Sequence, residues 1–230
     1  MYKQEELKEL ESKIGYEFKE KALLLQALTH SSFSNEQKIN RYKNYERLEF
    51  LGDAVLELLS SRFFFETYPE MSEGQMTRMR SSMVCEPALA FCARDISLGK
   101  YILLGKGEEA TGGRGRDSII SDVMEAVIGA IYLDGGIGEA DKFVRKYILS
   151  DLENKQLFYD SKTILQERVQ KTGRSIVYEL VSEVGPDHDK TFTVEAIIDG
   201  KTAGKGQGRN KKTAEQQAAY QVLLAEMPKK

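Results

Sequence analysis

The feature that most constrains this sequence is a change in the spacing of its apolar residues near residues 153–160. Before that point apolar side chains recur at a helical period, most clearly over residues 43–67, and after it they alternate with polar ones, as over 192–198. A period near 3.6 is typical of amphipathic helices, and a period of two is typical of half-buried strands. We therefore predict an all-α domain over residues 1–152, a linker over 153–160, and a small α+β domain over 161–230.

The C-terminal segment predicts the element order α-β-β-β-α. Asp199-Gly200 stands between two alternating runs, and such a pair is a strong signal for a two-residue hairpin turn. We predict a helix at each end and three strands between them, at residues 161–171, 175–183, 192–198, 201–207 and 212–226. This order favours a pair of helices packed on one face of an antiparallel sheet.

The distribution of charge separates the two predicted domains. The whole chain carries a net charge of −3, yet residues 161–230 hold 12 Lys/Arg against 9 Asp/Glu. Residues 201–212 contain five basic side chains and no acidic one. A basic module attached to an acidic body indicates that the basic part binds a polyanion.

Acidic residues in two predicted helices form the first candidate site. Glu46, Glu49 and Asp53 are three and four positions apart, which places three like charges on one stripe of a helix. Asp122 and Glu125 lie in a helix that is otherwise rich in apolar residues. A solvated acidic face is the alternative for any single pair, but an acid near a core needs a partner. Because Mg²⁺ prefers carboxylate oxygens and waters, we predict a magnesium site.

Such a site would suit the hydrolysis of a phosphodiester bond. A cation held by carboxylates can activate water and relieve charge on the leaving oxygen without a nucleophilic side chain. The two histidines, His30 and His188, fall in different predicted domains, which argues against a histidine-based mechanism. The chain also lacks the phosphate-binding pattern GxxxxGK[ST], and we interpret the glycine-rich segment 105–115 as a flexible surface loop.

Two motifs and the C-terminal pattern resemble the ribonuclease III family. Residues 46–54 read ERLEFLGDA, which closely resembles the family signature, and residues 121–126, SDVMEA, resemble its second acidic motif. Residues 161–230 resemble a double-stranded RNA-binding domain, so the resemblance covers nearly the whole chain. It implies a ribonuclease III-like helical domain that cuts double-stranded RNA with Mg²⁺, for which Mn²⁺ could substitute.

The resemblance assigns a metal site residue by residue. The acids that it implies as ligands of the catalytic metal are Glu49, Asp53, Asp122 and Glu125. Asp53 and Glu125 are expected to act in catalysis, and Glu49 and Glu125 are expected to be the most critical ligands.

Further positions of the first domain also match the family. Glu46 and Glu73 match acids that are expected near the cleft or the dimer interface. Phe50 would be an apolar anchor of a homodimer, whereas the residue pattern alone would place Phe50 and residues 63–65 in the core. Tyr45 stands where many members have Asn, and because it is outside the metal set we expect it to leave the chemistry undisturbed.

The start of the last helix is the second candidate site. Three cations, Arg209, Lys211 and Lys212, stand where the helix dipole favours acids. A bound phosphate would reverse that sign, and Asn210 can cap the same helix end. An idle run of charge is the alternative.

The resemblance adds two contacts to the minor grooves of A-form RNA. Thr163, Gln166 and Glu167 on the first helix of the module would meet one groove. His188 would meet the next groove, although for this residue alone a place lining a turn is the better interpretation.

The expected protein is a cytoplasmic, homodimeric endoribonuclease. No apolar run approaches the roughly 18 residues that a membrane span needs. The resemblance implies staggered products with 5′-phosphate and 3′-hydroxyl ends, made from structured RNA such as ribosomal RNA precursors and some mRNAs. One alternative is a non-cleaving double-stranded RNA-binding regulator, which the complete acid set disfavours. Another is a hydrolase of small nucleotides, which would not explain the C-terminal module.

Overall fold

The structure, a computed structural model, describes residues 4–38, 43–150, 161–185, 190–208 and 210–226. Contacts within the chain divide it into two compact units, Met1–Ser150 and Asp151–Lys230. The expected linker at 153–160 lies outside the described residues, so the predicted domain boundaries stay a prediction.

The first unit is built from helices, which confirms the predicted class. Its described helices are α1 (Gln4–Ile14), α2 (Lys21–Ala27), α3 (Ser31–Glu36), α4 (Glu46–Thr67), α5 (Glu73–Val84), α6 (Glu86–Asp95), α7 (Lys106–Ala110), α8 (Asp117–Gly135) and α9 (Ile137–Tyr147). Two short 3₁₀ turns, Leu98–Tyr101 and Gly113–Gly115, lie on either side of α7. Among the described residues, no helix has the length and apolar character that crossing a membrane requires.

Helix α8 forms the centre of this unit because its sequence is apolar on nearly every side. Between Ile119 and Ile131 every residue is buried except Asp122 and Glu125, which are half-buried. A helix that is apolar all round belongs in a core. The two acids therefore mark the one stripe of this stretch that reaches solvent, which confirms that they lie at the edge of the core.

Helix α4 lies directly against α8, and two glycines determine how closely. A Cβ atom on Gly52 would lie 1.8 Å from the backbone oxygen of Glu125, and one on Gly129 would lie 2.3 Å from the backbone oxygen of Leu48. No side chain fits at such distances, so the two backbones touch where the helices cross. Gly52 costs α4 up to about 1 kcal/mol of helix propensity relative to Ala, and this contact explains why the cost is tolerated.

The helix ends follow the local signals in the sequence. The Ser72 hydroxyl accepts from the backbone N–H of Gln75, whose side chain accepts from the N–H of Ser72 in return. This is a capping box, and Ser followed three residues later by Gln is its sequence signature. Helix α4 ends just before Tyr68-Pro69, and Gly136 adopts a φ of 81° after α8, a conformation that favours glycine.

The glycine-rich segment 105–115 lies mostly at the surface, as we expected, but it is not an irregular loop. It contains α7 and a 3₁₀ turn. The Arg114 guanidinium donates to the backbone oxygens of Gly99, Lys100 and Ile102. Arg114 thus ties the segment to the rest of the unit, an anchor that the glycine content alone could not reveal.

The second unit has the predicted α-β-β-β-α order. Its described elements are α10 (Ser161–Lys171), β1 (Ile176–Val184), β2 (Thr191–Ile198), β3 (Lys201–Gly208) and α11 (Lys211–Glu226). The strands form one antiparallel sheet in the order β1-β2-β3. Asp199 and Gly200 both have positive φ, as the hairpin signal required. Leu165 of α10, Ala196 of β2 and Leu223 of α11 belong to one buried cluster between the helices and the sheet.

Strand β1 keeps its predicted alternation only in its first half. Ile176 and Tyr178 pack against the core, but Leu180 is 41% exposed. The register with β2 shifts between Leu180 and Ser182. Because a β-bulge redirects the side chains next to it, the apolar period fails there although the strand continues.

Candidate functional site

The crossing of α4 and α8 brings the two predicted groups of acids together. Gly52 contacts the backbone of Glu125, and Glu49 and Asp53 flank Gly52 on α4. The pKa of Glu125 is raised by the charges of Asp53, Glu49 and Asp122. The pKa of Glu49 is raised by the charges of Asp122 and Asp53. The acids of the two helices therefore lie close enough for their charges to interact.

Burial and mutual repulsion make these acids hard to ionise together. Burial, followed by the charges of the neighbouring acids, raises the pKa of Glu125 to about 8 and that of Glu49 to about 7. Burial also raises the pKa of Asp122. A carboxyl whose pKa is raised by folding holds its proton more tightly in the folded state. The contribution of Glu49 and Glu125 to the free energy of unfolding therefore falls as pH rises from 4.5 toward these values.

Among the described residues, no positive charge balances Glu49 or Glu125, whereas the charge of His30 lowers the pKa of Asp122. Every charged group that acts on the pKa of Glu49 or Glu125 is itself an acid. In the same part of the chain, no three His, Cys, Asp or Glu side chains already stand where they would hold a metal ion. The backbone gathers the donors, and their side chains have to converge further to coordinate an ion. The donor set itself consists of carboxylates with no Lys or Arg among the charges that act on Glu49, Asp122 or Glu125, and it fits a hard divalent cation.

Two residues outside the predicted set lie beside the acids. The Tyr45 hydroxyl is 3.3 Å from Oδ2 of Asp122, and burial together with the charges of Asp122 and Glu49 raises the pKa of Tyr45. The His30 ring packs against Tyr45 with their centroids 5.6 Å apart. Tyr45 thus contacts one of the acids expected to bind the metal, and the expectation that it leaves the chemistry undisturbed stays a prediction. No local sequence pattern reports a contact between residues 77 positions apart.

The two remaining predicted acids lie in different surroundings. Glu46 is exposed in the first turn of α4 and adds to the negative charge around Glu49. Glu73 begins α5, accepts a hydrogen bond from the Thr77 hydroxyl, and lines an open pocket of about 550 Å³ together with Phe65. Glu73 is not among the charges that act on Glu49 or Glu125, so the structure does not bring it into the cluster.

Phe50 lies on the surface of the first unit. It is 81% exposed, and Leu58 and Phe65 on the same helix are 60% and 72% exposed. The core position that the residue pattern alone suggested is therefore wrong for Phe50 and Phe65, although it holds for Phe64. Large apolar side chains on one surface mark an interaction site.

Helix α10 of the second unit has one face in the core and one face in solvent. Leu165 and Val169 are buried, whereas the predicted contacts Thr163, Gln166 and Glu167 are exposed. Residues three and four positions apart are neighbours on a helix surface. The three predicted contacts therefore share one accessible side.

The start of α11 has the features that the sequence predicted for a phosphate site. The Asn210 side chain accepts a hydrogen bond of 2.9 Å from the backbone N–H of Thr213, which confirms its capping role. Lys211 and Lys212 are exposed in the first turn, and that turn has no acidic residue. Arg209 and His188 lie outside the described residues.

Strand β3 runs against the backbone of α11, and its glycines permit this approach. A Cβ atom on Gly206 would lie 2.2 Å from the backbone nitrogen of Ala218. The Gln216 side chain accepts a hydrogen bond of 2.8 Å from the backbone N–H of Lys162. The contact between Lys162 and Gln216 brings the start of α10 beside the second turn of α11, so the two predicted RNA contacts lie toward the same end of the module.

Both units match models of known protein families. The family model described as ribonuclease-III-like matches residues 20–152, and the model of the double-stranded RNA binding motif matches residues 161–225. The chain belongs to the ribonuclease III family. It is accordingly an endoribonuclease specific for double-stranded RNA, with a double-stranded RNA-binding domain at its C-terminal side.

Curated members of the ribonuclease III family match almost the full chain. The ribonuclease 3 of Caldanaerobacter subterraneus subsp. tengcongensis is 48% identical over 219 residues, which is 93% of this chain and 95% of that protein. The ribonuclease 3 of Bacillus licheniformis is 45% identical over 224 residues, which is 96% of this chain and 90% of that protein. The similarity therefore extends over both units.

A solved structure supports the helical fold of the first unit. The nuclease domain of ribonuclease III from Campylobacter jejuni is 41% identical, with a TM-score of 0.58. The match covers 62% of this chain and 95% of that one, and the work on that domain concerns structural flexibility in a region involved in dimer formation.

Proposed function

We propose that this ribonuclease III hydrolyses duplex RNA by a Mg²⁺-dependent mechanism in which Glu49, Asp53, Asp122 and Glu125 hold the ion. The observation that carries the proposal is the meeting of these acids at the α4–α8 crossing, where every charge that acts on Glu49 and Glu125 is negative. A divalent cation would remove this repulsion. The proposed products are staggered duplexes with 5′-phosphate and 3′-hydroxyl ends, from structured RNA such as ribosomal RNA precursors and some mRNAs.

The roles of the residues follow from their positions. A bound Mg²⁺ supplies an activated water and polarises the phosphate. Glu125 on α8 and Asp53 on α4 would hold the ion where the phosphodiester is cut. Glu49 and Asp122 complete the donor set, and the apolar surroundings of α8 strengthen each electrostatic contact by lowering the local dielectric. Mn²⁺ has the same preference for oxygen donors and is expected to substitute.

Withholding the metal is the direct test of this proposal. A long RNA duplex is incubated with the chain in Mg²⁺ or in EDTA, and the products are resolved on a denaturing gel. We expect short fragments only with Mg²⁺, and we expect single-stranded RNA of the same sequence to resist cleavage. Cleavage in EDTA would contradict the metal mechanism. An uncut duplex that is still bound in Mg²⁺ would favour the alternative of a non-cleaving RNA-binding regulator.

The protein acts as a homodimer in this proposal, with Phe50 as an apolar anchor. Support comes from the exposure of Phe50, Leu58 and Phe65 along α4, because a surface of this kind is costly unless a partner covers it. The open pocket lined by Phe65 and Glu73 is large enough to receive an aromatic side chain. Sedimentation of the RNA-free chain should give the mass of two copies, and a monomer at micromolar concentration would contradict the dimer. A cytoplasmic location stays a prediction.

Lys211 and Lys212 bind RNA phosphates in this proposal, and their removal should weaken binding without changing sequence preference. For Lys211→Ala with Lys212→Ala we expect lower affinity for every duplex tested and a log–log salt slope that is smaller by about 1 for each lost phosphate contact. Filter binding without Mg²⁺, over a series of salt concentrations, measures both quantities.

A pair with the same change in charge serves as the control for this measurement. Lys171→Ala with Lys201→Ala removes two exposed lysines at the end of the module remote from the start of α11. This control should keep the wild-type salt slope. An equal reduction of the slope in both pairs would show that α11 has no special role.

A further inference from the structure

The carboxyl group of Asp122 meets a hydroxyl from another part of the first unit. Tyr45 is only 5% exposed, and its hydroxyl lies 3.3 Å from Oδ2 of Asp122. A phenol can donate this hydrogen bond, and an ionised carboxylate can only accept it. The contact thus joins the residue just before α4 to the acid-bearing stripe of α8.

Tyr45 is held in place by contacts besides the one to Asp122. Its backbone N–H donates to the oxygen of Thr29 at 2.9 Å, and its own backbone oxygen accepts from the N–H of Glu49 at 2.9 Å. Its ring packs against the ring of His30. A side chain anchored at backbone and ring delivers its hydroxyl to a fixed point, so the position of the donor is set before any ligand binds.

The length of the hydrogen bond bears on what it can do. Hydroxyl-to-carboxylate contacts are usually about 2.5–2.7 Å, and the contact between Tyr45 and Asp122 is longer, at 3.3 Å. A donor at this distance restricts the rotation of the carboxyl group and still leaves it room to shift. The contact is therefore compatible with a carboxylate that shifts when an ion binds.

We infer that Tyr45 is a positioning residue for the cation site, where its hydroxyl orients the Asp122 carboxylate toward the ion. This inference rests on the proposed function, because it assumes that Asp122 is a metal ligand. Groups that hydrogen-bond to ligating carboxylates orient them, and their loss typically costs 10–100-fold in metal affinity. Tyr45 would therefore contribute to metal affinity through its contact with Asp122.

The variant Tyr45→Phe tests the inference because it keeps the ring and removes only the hydroxyl. The dissociation constant of Mn²⁺ for the RNA-free protein is measured from the electron paramagnetic resonance signal of free Mn²⁺. We expect it to rise about 10–100-fold. The Mg²⁺ concentration for half-maximal cleavage should rise in parallel, while duplex binding without metal should stay at the wild-type level.

Tyr16→Phe is a matched control in the same unit. The Tyr16 hydroxyl also donates to an aspartate, Asp134, at 2.6 Å, but Asp134 is not among the charges that act on Glu49 or Glu125. A purely structural role would lower the unfolding temperature of both variants and leave Mn²⁺ affinity unchanged in both. The inference requires weaker Mn²⁺ binding in Tyr45→Phe alone.

The outcomes separate this inference from the proposed function. If the wild type binds Mn²⁺ in a manner that Glu125→Gln weakens, and Tyr45→Phe binds it as tightly as the wild type, only the role of Tyr45 is overturned. If Mn²⁺ binding by the wild type is absent, or is indifferent to Glu125→Gln, the metal site itself is wrong and the role of Tyr45 falls with it.

Discussion

Replacing Glu125 with Gln is expected to abolish cleavage of duplex RNA while duplex binding continues. The side chain keeps its size but loses the charge that a cation would bind, at the most strongly perturbed acid of the cluster, with a pKa of about 8. A metal contributes several kcal/mol of transition-state stabilisation, and each 1.36 kcal/mol is a factor of ten in rate. We therefore expect the single-turnover rate at saturating Mg²⁺ to fall by at least about 100-fold.

The stability of the Glu125→Gln variant distinguishes a lost ligand from a damaged fold. Removing one of several repelling charges relieves the cluster, so the unfolding temperature in EDTA at pH 8 should equal or exceed that of the wild type. Glu86→Gln, at an exposed acid that begins α6, is the control and should cleave normally. Normal turnover by Glu125→Gln would remove this residue from the mechanism.

The sequence was sufficient to predict that Asp122 and Glu125 lie near the core, because their surroundings differ from those of ordinary surface acids. Asp122 and Glu125 interrupt an apolar helix, and the structure finds them as the two half-buried positions of a buried stretch. The period of the apolar residues predicted the two fold classes in the same way. Both inferences depend on spacing along a single helix or strand, which a sequence displays directly.

The sequence was insufficient where a contact joins distant parts of the chain. Tyr45 lies beside Asp122, although 77 positions separate the two residues. Arg114 anchors a segment whose glycines suggested a flexible loop, by binding backbone oxygens 12–15 positions earlier. Phe50 continues the apolar content of α4 and yet is 81% exposed, because composition does not reveal which face of a helix is covered by the core.

A contact between distant parts of the chain also determines the expected effect of replacing Gly52 on the stability of the protein. By propensity alone, Gly52→Ala should stabilise α4 by up to about 1 kcal/mol. The structure predicts the opposite, because the new Cβ would lie 1.8 Å from the backbone oxygen of Glu125 and 2.6 Å from its carbonyl carbon. Neither atom belongs to a flexible side chain, so α4 and α8 would have to move apart.

We expect Gly52→Ala to lower the free energy of unfolding by about 2 kcal/mol or more, since overpacking typically costs 1–3 kcal/mol and here outweighs the gain in propensity. For a unit of this size, that corresponds to a drop of roughly 4–8 °C in Tm, measurable by calorimetry. Gly138→Ala in α9 is the matched control because its Cβ would meet nothing within 4 Å, and it should be neutral or slightly stabilising.

Separation of the helices would also pull Glu49 and Asp53 away from Glu125, so cleavage should fall even where the variant stays folded. A Gly52→Ala variant with wild-type Tm and wild-type cleavage would show that the backbone contact does not hold the four acids together.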